Sequence, residues 1–412
     1  MDRAILHCDL NSFYASVEIL YRPELKELPV AVCGEIEQRH GIVLAKNILA
    51  KRAGIITGEA VWQARQKCPP LVVLSPSYGL YLRFSKMARE IYSRHTPYIE
   101  SFGIDECWLD VTCAVKSVPG GANQIAQDIL NSIRKELGIT VSVGVSWNKV
   151  FAKLGSDLKK PDAVTVITKD DFRRLVWPLP AKDLLYVGRA TWRRLQDAGI
   201  CTIGGIANAP LSTLRSMLGK WGETLHMFAN GMDASPVMPK DWEEEVKGVG
   251  NSITTPRDIC SEADAKQVFY ALAESVAERM RKKGFLGTTL QIWVRDTQLG
   301  SFTRQCVLQR PTCLASEMAS CAMDLFRRHW SRGRPLRSLG LCMSGLYAAG
   351  DGRQLSLFPL AEDKAEALER SIDVIRQRFG HAAIKRALML GDTALSPNPD
   401  KEDSIHGVAF MR

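Results

Sequence analysis

Three carboxylates stand where carboxylates are costly. Asp9 closes the apolar run Ala4-Ile5-Leu6-His7-Cys8, and Asp105 and Glu106 interrupt the alternating apolar stretch from Ile99 to Val111. A half-buried carboxylate needs a compensating partner, and no single lysine or arginine neighbours all three. A shared cation resolves the conflict. Two aspartates and a glutamate are hard oxygen donors, suited to Mg²⁺ or Mn²⁺ rather than zinc. A chain that uses them together must fold its first strand beside the strand carrying the pair. Adjacent residues on an ideal strand point to opposite faces, so Asp105 and Glu106 share a site only where the chain bends, and Gly103 makes a bend cheap. A local reading competes: Asp9 caps the next helix, and Asp105 and Glu106 are hairpin-turn acids.

The surrounding pattern allows the convergent reading. Ala4 to Cys8 reads as a strand, with Ser12 placed to cap a helix through Ile19. Pro29 to Gly34, Ile42 to Leu44 and Leu71 to Leu74 read as short strands around a helix over Asn47 to Ala53. Residues 80–95 and Ala122 to Leu137 have helical spacing, the second stopped by Gly138. Thr140 to Ser146 and Val164 to Ile167 read as strands. The order is that of a split βαβ unit, an antiparallel sheet with two helices on one face, interrupted between residues 20 and 80. Beyond residue 170 short helices alternate with Gly and Pro, and Leu184 to Ala207 reads as a helix–hairpin–helix. A Pro/acidic linker over 237–246 leads to strands and helices over 247–349. The class is α+β and multidomain, in line with 412 residues at about 100–200 per domain.

Charge bears on the partner. The chain carries 54 basic and 45 acidic side chains, net +9. Residues 247–349 alone hold 15 lysines and arginines against 8 acids, net +7, which suggests a polyanionic partner there. The 11 cysteines show neither C-x-x-C nor zinc-finger spacing, so they read as reduced, structural thiols of a cytoplasmic protein. The longest uncharged stretch, Ala198 to Leu214, is broken by Gly204, Gly205 and Pro210 and is too short to span a bilayer. Asp2 and Asp9 flank the first apolar run, unlike a secretion signal, and no membrane association is expected.

Several boxes, in order, resemble those of Y-family translesion DNA polymerases. Asp9-Leu10-Asn11-Ser12-Phe13-Tyr14 resembles the D-x-D-x-F-F/Y box, and Ser101 to Glu106 the Y-S-I-D-E box. Ser142 to Lys153 and Ser156 to Pro161 resemble the S-V-G-I-S-x-N-K-x-x-A-K and S-D-x-x-K-P boxes. Val187-Gly188 matches the start of the thumb hairpin, and Lys247 to Asp258 the entry to the little finger. The resemblance covers about residues 1–345, and the nearest branch is the bacterial DNA polymerase IV type, with polymerase V-like subunits as kin.

The resemblance implies a right hand: a ferredoxin-like palm over 1–19 and 80–168, fingers over 20–79, a helix–hairpin–helix thumb over 169–236, the linker, a little finger over 247–349 and a tail over 350–412. It implies two Mg²⁺ ions, replaceable by Mn²⁺, on Asp9, Asp105, Glu106 and the Leu10 carbonyl. The three acids would be the catalytic residues for adding dNTPs to primer–template DNA. Tyr14, beside Phe13, matches the steric gate against a 2′-hydroxyl, and Lys160 a triphosphate contact. Ala45 and Lys51 fall in the nucleotide-binding segment, and Val43, Ala45 and Gly58 suggest a loose pocket around the nascent base pair. Ile48, Lys51, Asn11 and Gly103 depart from the usual Tyr, Arg, acid and Ser. Gly188 and Arg189, helped by Arg193 and Arg194, would meet DNA phosphates. So would a basic group in the last domain: Lys247, Arg257, Arg281, Lys282, Lys283, Arg295, Arg304, Arg332, Arg334 and Arg337. Gln354, Leu355, Leu357 and Phe358 resemble the peptide that bacterial polymerases insert into the sliding clamp (beta subunit). No proofreading site is expected, and the chain is expected to act as a monomer in the bacterial cytoplasm, at the nucleoid. Leu368, Ile372, Ile375 and Phe379 form a helical stripe expected to dock on the body or a partner. The alternatives are a catalytically inactive DNA-binding scaffold of the damage response and a nucleotide cyclase, which the thumb hairpin and basic domain disfavour.

Overall fold

The first strand and helix, β1 (Ile5–Leu10) and α1 (Phe13–Leu20), are followed by an insert of β2 (Val30–Cys33), β3 (Val43–Lys46), α2 (Ile48–Arg52), α3 (Val61–Lys67) and β4 (Val72–Leu74). The chain returns through α4 (Tyr78–Tyr92), the hairpin of β5 (Ile99–Ser101) and β6 (Glu106–Asp110), α5 (Gly121–Ser132), β7 (Val141–Ser146), α6 (Lys149–Leu158) and β8 (Val164–Val166). This computed structural model describes residues 2–35, 39, 41–330, 333–348, 361–390, 392 and 395. The 354–358 peptide and Arg332 lie outside the described residues.

The main sheet has the order β5-β6-β1-β7-β8, and the insert forms its own sheet, β3-β2-β4. β1 lies between β6 and β7, antiparallel to both. All six of its residues are buried because both faces of the strand are covered. Leu6, Cys8 and Leu10 pack with Phe84 and Ile91 of α4 and Ile125 and Ile129 of α5. On the other face, Ile5 packs with Trp108 and Ala152, and His7 Nδ1 lies 2.8 Å from Ser156 Oγ of α6. Two expectations are corrected. β7 and β8 pair parallel, because α6 joins them as a crossover. Helices also cover both faces rather than one. α6 lies so close that a Cβ on Gly144 would stand 1.9 Å from the Ala152 carbonyl oxygen. Asn148 starts α6, its side chain accepting from Phe151 N–H at 2.8 Å.

Four further helices close this unit after the short α7 (Phe172–Leu175): α8 (Arg189–Asp197), α9 (Ile203–Asn208), α10 (Leu211–Leu218) and α11 (Lys220–Ala229). The first part of the expected linker is fastened down. Val237 joins the Ile5–Trp108–Ala152 cluster, and Met238 N–H donates to Glu100 Oε2 at 3.0 Å.

Among the described residues the chain forms two compact units, the second comprising residues from Glu244 onward together with Gly34–Ile42. It contains β9 (Gly248–Ile259), α12 (Glu262–Lys282), β10 (Phe285–Asp296), β11 (Ser301–Thr312), α13 (Ala315–His329), β12 (Leu336–Ala348) and α14 (Ala361–Phe379). Its sheet, β11-β10-β12-β9, is antiparallel throughout, and α12 and α13 bury a single core against it. The stripe of α14 does not dock on its own unit: Leu368, Ile375 and Phe379 are exposed, while Glu369 and Arg376 are buried.

Candidate active site

Strand register brings the acids together. Asp9 pairs directly with Glu106 across β1 and β6, and directly opposed residues of an antiparallel pair share a face. Asp105 lies one residue before β6, in the hairpin turn, and its carbonyl accepts from Leu10 N–H at 3.0 Å. The turn is held from α4: Arg89 donates to the Gly103 carbonyl at 3.0 Å and to Ser101 Oγ at 2.9 Å, and Ser85 donates to the Ile104 carbonyl. Gly103 does not adopt a positive φ, so the bend rests on these bonds rather than on glycine's conformational freedom. Ser12 stands at the start of α1 in the left-handed region, φ 48°, and its hydroxyl makes no cap.

Amines face the two paired acids. Lys160 Nζ lies 2.6 Å from Asp9 Oδ2 and 2.8 Å from Asp157. Lys153, one turn along α6 from Lys149, reaches Glu106 at 2.8 Å. Burial pushes Asp9 up to about 7, against the pull of Lys160. Burial, with the Glu106 charge, pushes Asp105 up to about 6. Burial acts on Glu106 too, but His7, whose Nε2 lies 3.5 Å from Oε2, and the Lys153 charge outweigh it and hold the carboxyl well below the usual range. His7 itself, fully buried, is pushed down to about 4 by desolvation and is neutral at pH 7. His7 and Lys153 were not singled out from sequence, since their roles depend on α6 lying across β1.

Asp9, Leu10, Asp105 and Glu106 line one cavity of about 310 Å³. Among the described residues no three His, Cys, Asp or Glu side chains stand close enough to form a metal cluster; Asp9 and Glu106 are instead each paired with a lysine. The donor set nevertheless fits a hard divalent cation: carboxylate oxygens beside a main-chain carbonyl, two of the acids held protonatable near neutrality by burial.

The opposite wall comes from the insert: Leu44, Ala45, Lys46, Ile48, Lys51 and Thr57. Lys46 was not singled out from sequence. Its Nζ donates to Thr57 Oγ1 at 2.9 Å, and burial and the neighbouring Lys51 charge lower its pKa. Val43, expected near the base pair, is core instead. Phe13 lines the cavity, whereas Tyr14 stacks on Tyr81 with ring centroids 4.2 Å apart and is not among the lining residues. Asn11 is buried and bonded to Ser142 Oγ at 2.9 Å, which ties the end of β1 to β7.

The basic residues divide. Gly188 and Arg189 are exposed at the start of α8, and space around the Gly188 α-carbon is open. In the second unit Lys247 and Arg334 are exposed. Arg257 is committed to Asp264 and Asp392, each at 2.8 Å. Arg281 is half-buried and paired with Glu369 and Asp373. These two arginines serve structure first.

Comparison with known proteins decides the family. The impB/mucB/samB family matches residues 8–157, and its C-terminal domain matches residues 246–357. The DNA polymerase IV of Acetivibrio thermocellus is 49% identical over 96% of this chain and 100% of that protein. The chain belongs to the impB/mucB/samB family of Y-family DNA polymerases. DNA polymerase IV 1 of Bacillus subtilis is 35% identical over 94% of this chain and 93% of its own length. A solved Y-family DNA polymerase chimera superposes with a TM-score of 0.73 at 22% identity, covering 84% of this chain and 99% of the chimera, which supports the palm, fingers, thumb and little finger as the Y-family fold. Polymerases of this family depend on metal ions. No helix among the described residues is long and apolar enough to cross a membrane.

Proposed function

We infer that the chain is a DNA-directed DNA polymerase of the translesion type. The observation that carries this is the in-register pairing of Asp9 with Glu106, with Asp105 at the adjoining turn, in one cavity with Lys46, Lys51 and Lys160, in a chain of this family. The primer 3′-hydroxyl oxygen attacks the α-phosphorus of a dNTP, and the bond to pyrophosphate breaks in line. Two bound Mg²⁺ ions, with Mn²⁺ as a substitute, would lower the hydroxyl's pKa and neutralise the triphosphate. Asp9, Asp105, Glu106 and the Leu10 carbonyl would hold them. Lys46, Lys51 and Lys160 supply positive charge for the phosphates. Lys51 does so as a point charge without arginine's bidentate fork, and Ile48 adds no donor. Tyr14 is assigned as the sugar gate. Gly188, Arg189 and the exposed lysines and arginines of the second unit would hold the duplex through phosphates, without reading sequence. The 354–358 peptide would engage a sliding clamp, and the chain would act as a monomer at the nucleoid.

Primer extension with Mg²⁺ and four dNTPs, on intact and damaged templates, is the test. Wild type should extend both, and Asp9→Asn should lose nearly all extension while still binding DNA. A wild-type chain that binds DNA and extends nothing would establish the inactive-scaffold reading instead.

A further inference from the structure

α14 meets its own domain with the face a helix normally gives to water. Arg281 Nε and Nη2 bond both Asp373 oxygens, at 2.6 and 2.7 Å, and Nη1 bonds Glu369. Glu369 also accepts from Ala315 N–H at the start of α13, at 3.0 Å. Arg376 reaches Glu274 of α12 at 2.7 Å. This ion-pair seam fixes the rotation of the helix about its axis. The consequence is that Leu368, Val374 and Phe379 are 62%, 63% and 65% exposed, and Ile375 37%. At 100° per residue, Leu368, Ile375 and Phe379 fall within an arc of about 40°. Lys364 and Arg378 are exposed as well, on the same side of the stripe at about 40° and 80° from Leu368, whereas Glu369 and Asp373 are spent on the seam. The helix therefore presents an apolar stripe with a cationic border. Amphipathic helices usually bury such a stripe, and an apolar patch rimmed by polar residues marks an interaction surface.

We propose that this face of α14 docks on an apolar, acid-bordered patch of the sliding clamp, beside the pocket that would take Gln354 to Phe358. The assignment rests on the clamp reading of that peptide. Charge complementarity calls for an acidic partner. Chain length supplies the location: Ala361 follows Phe358 by three residues, which span at most about 11 Å. A partner holding Phe358 therefore lies next to the first turn of α14. Two linked contacts raise affinity beyond either alone.

The experiment measures binding of the full-length chain to purified clamp by calorimetry. The forms compared are wild type, a 354–358 deletion, Leu368→Ser with Phe379→Ser, and Lys364→Glu with Arg378→Glu. Both double variants should weaken binding about tenfold, the charge-reversed one with a shallower salt dependence. Thermal unfolding and clamp-independent primer extension should match wild type, since the substituted side chains are exposed and remote from the acids in sequence and unit. The deletion should abolish binding. Wild-type affinity in both double variants, with binding lost in the deletion, overturns the α14 assignment and leaves the peptide reading standing. A deletion without effect sinks both. A concentration-dependent dimer by sedimentation, or adsorption to anionic vesicles, that the double variants abolish while clamp affinity stays unchanged assigns the face to a second copy or to lipid and likewise overturns the proposal.

Discussion

Asp9 carries its proton up to about pH 7 although Lys160 stands 2.6 Å away, because burial costs the carboxylate more than one amine returns. Asp105, at about 6, behaves alike. A folded-state pKa raised above the unfolded one adds stability at low pH, and that stability is lost as pH rises through the folded value. Free of metal, Asp9 and Asp105 should therefore destabilise the protein as pH rises from about 4 to 7, with His7, lowered to about 4 from 6.5, offsetting part of this, and a divalent cation should relieve it. Cation binding must displace those protons. The Mn²⁺ concentration for half-maximal binding should rise as pH falls from 8 to 6, by up to about tenfold per unit for each proton released, read by Mn²⁺ paramagnetic resonance. A flat dependence would show that Asp9 and Asp105 are ionised without metal. At the sugar, Tyr14→Ala should raise ribonucleotide incorporation relative to deoxynucleotide by about tenfold or more in single-nucleotide extension. Tyr14 stacks on Tyr81 and Phe13 lines the cavity, so Phe13→Ala is the informative comparison: if it alone relaxes sugar selection, the gate belongs to Phe13.

At the scale of elements, α6 couples fold to chemistry. It sits on β7 because Gly144 has no side chain, and it delivers Lys153 to Glu106 and Ser156 to His7. Gly144→Ala would place a methyl group 1.9 Å from the Ala152 carbonyl, and one of the two elements must move. The expected loss is about 1–3 kcal/mol, read as a lowered unfolding temperature, with primer extension falling further than stability alone explains. An unchanged melting temperature would mean that α6 can shift without cost. The β5–β6 hairpin is held in a second way, by Arg89 and Ser85 of α4, so the acids are aimed from both faces of the sheet.

For the whole molecule, duplex binding should depend steeply on salt. The basic excess sits in residues 247–349, and each phosphate contact contributes a slope of about −0.9 in log affinity against log salt. Fluorescence anisotropy between low and physiological salt should show affinity falling about tenfold or more. Arg334→Ala should flatten that slope, whereas Arg257→Ala should mainly loosen the Asp264–Asp392 contacts and leave the slope as it is. An Arg257 effect equal to that of Arg334 would show that its ion pairs open to reach DNA.

Composition, periodicity and the acids in apolar strands were enough to place β1, β6, β7 and the helices between them, and to single out Asp9, Asp105 and Glu106. Those signals are local: hydrophobic alternation and a costly charge are written in neighbouring residues. Cross-strand register, the face covered by α6 and the rotation of α14 are not local. The pairing of Asp9 with Glu106, the Lys153 and His7 contacts, Lys46 on the far wall and the outward turn of Leu368 depend on which surfaces meet. Periodicity predicted that the stripe of α14 would dock on the body or a partner, but ion pairs of Arg281 with Glu369 and Asp373, and of Arg376 with Glu274, turn it away from the body. A stripe shows that a helix has two faces; only the residues packed against it decide which face is buried.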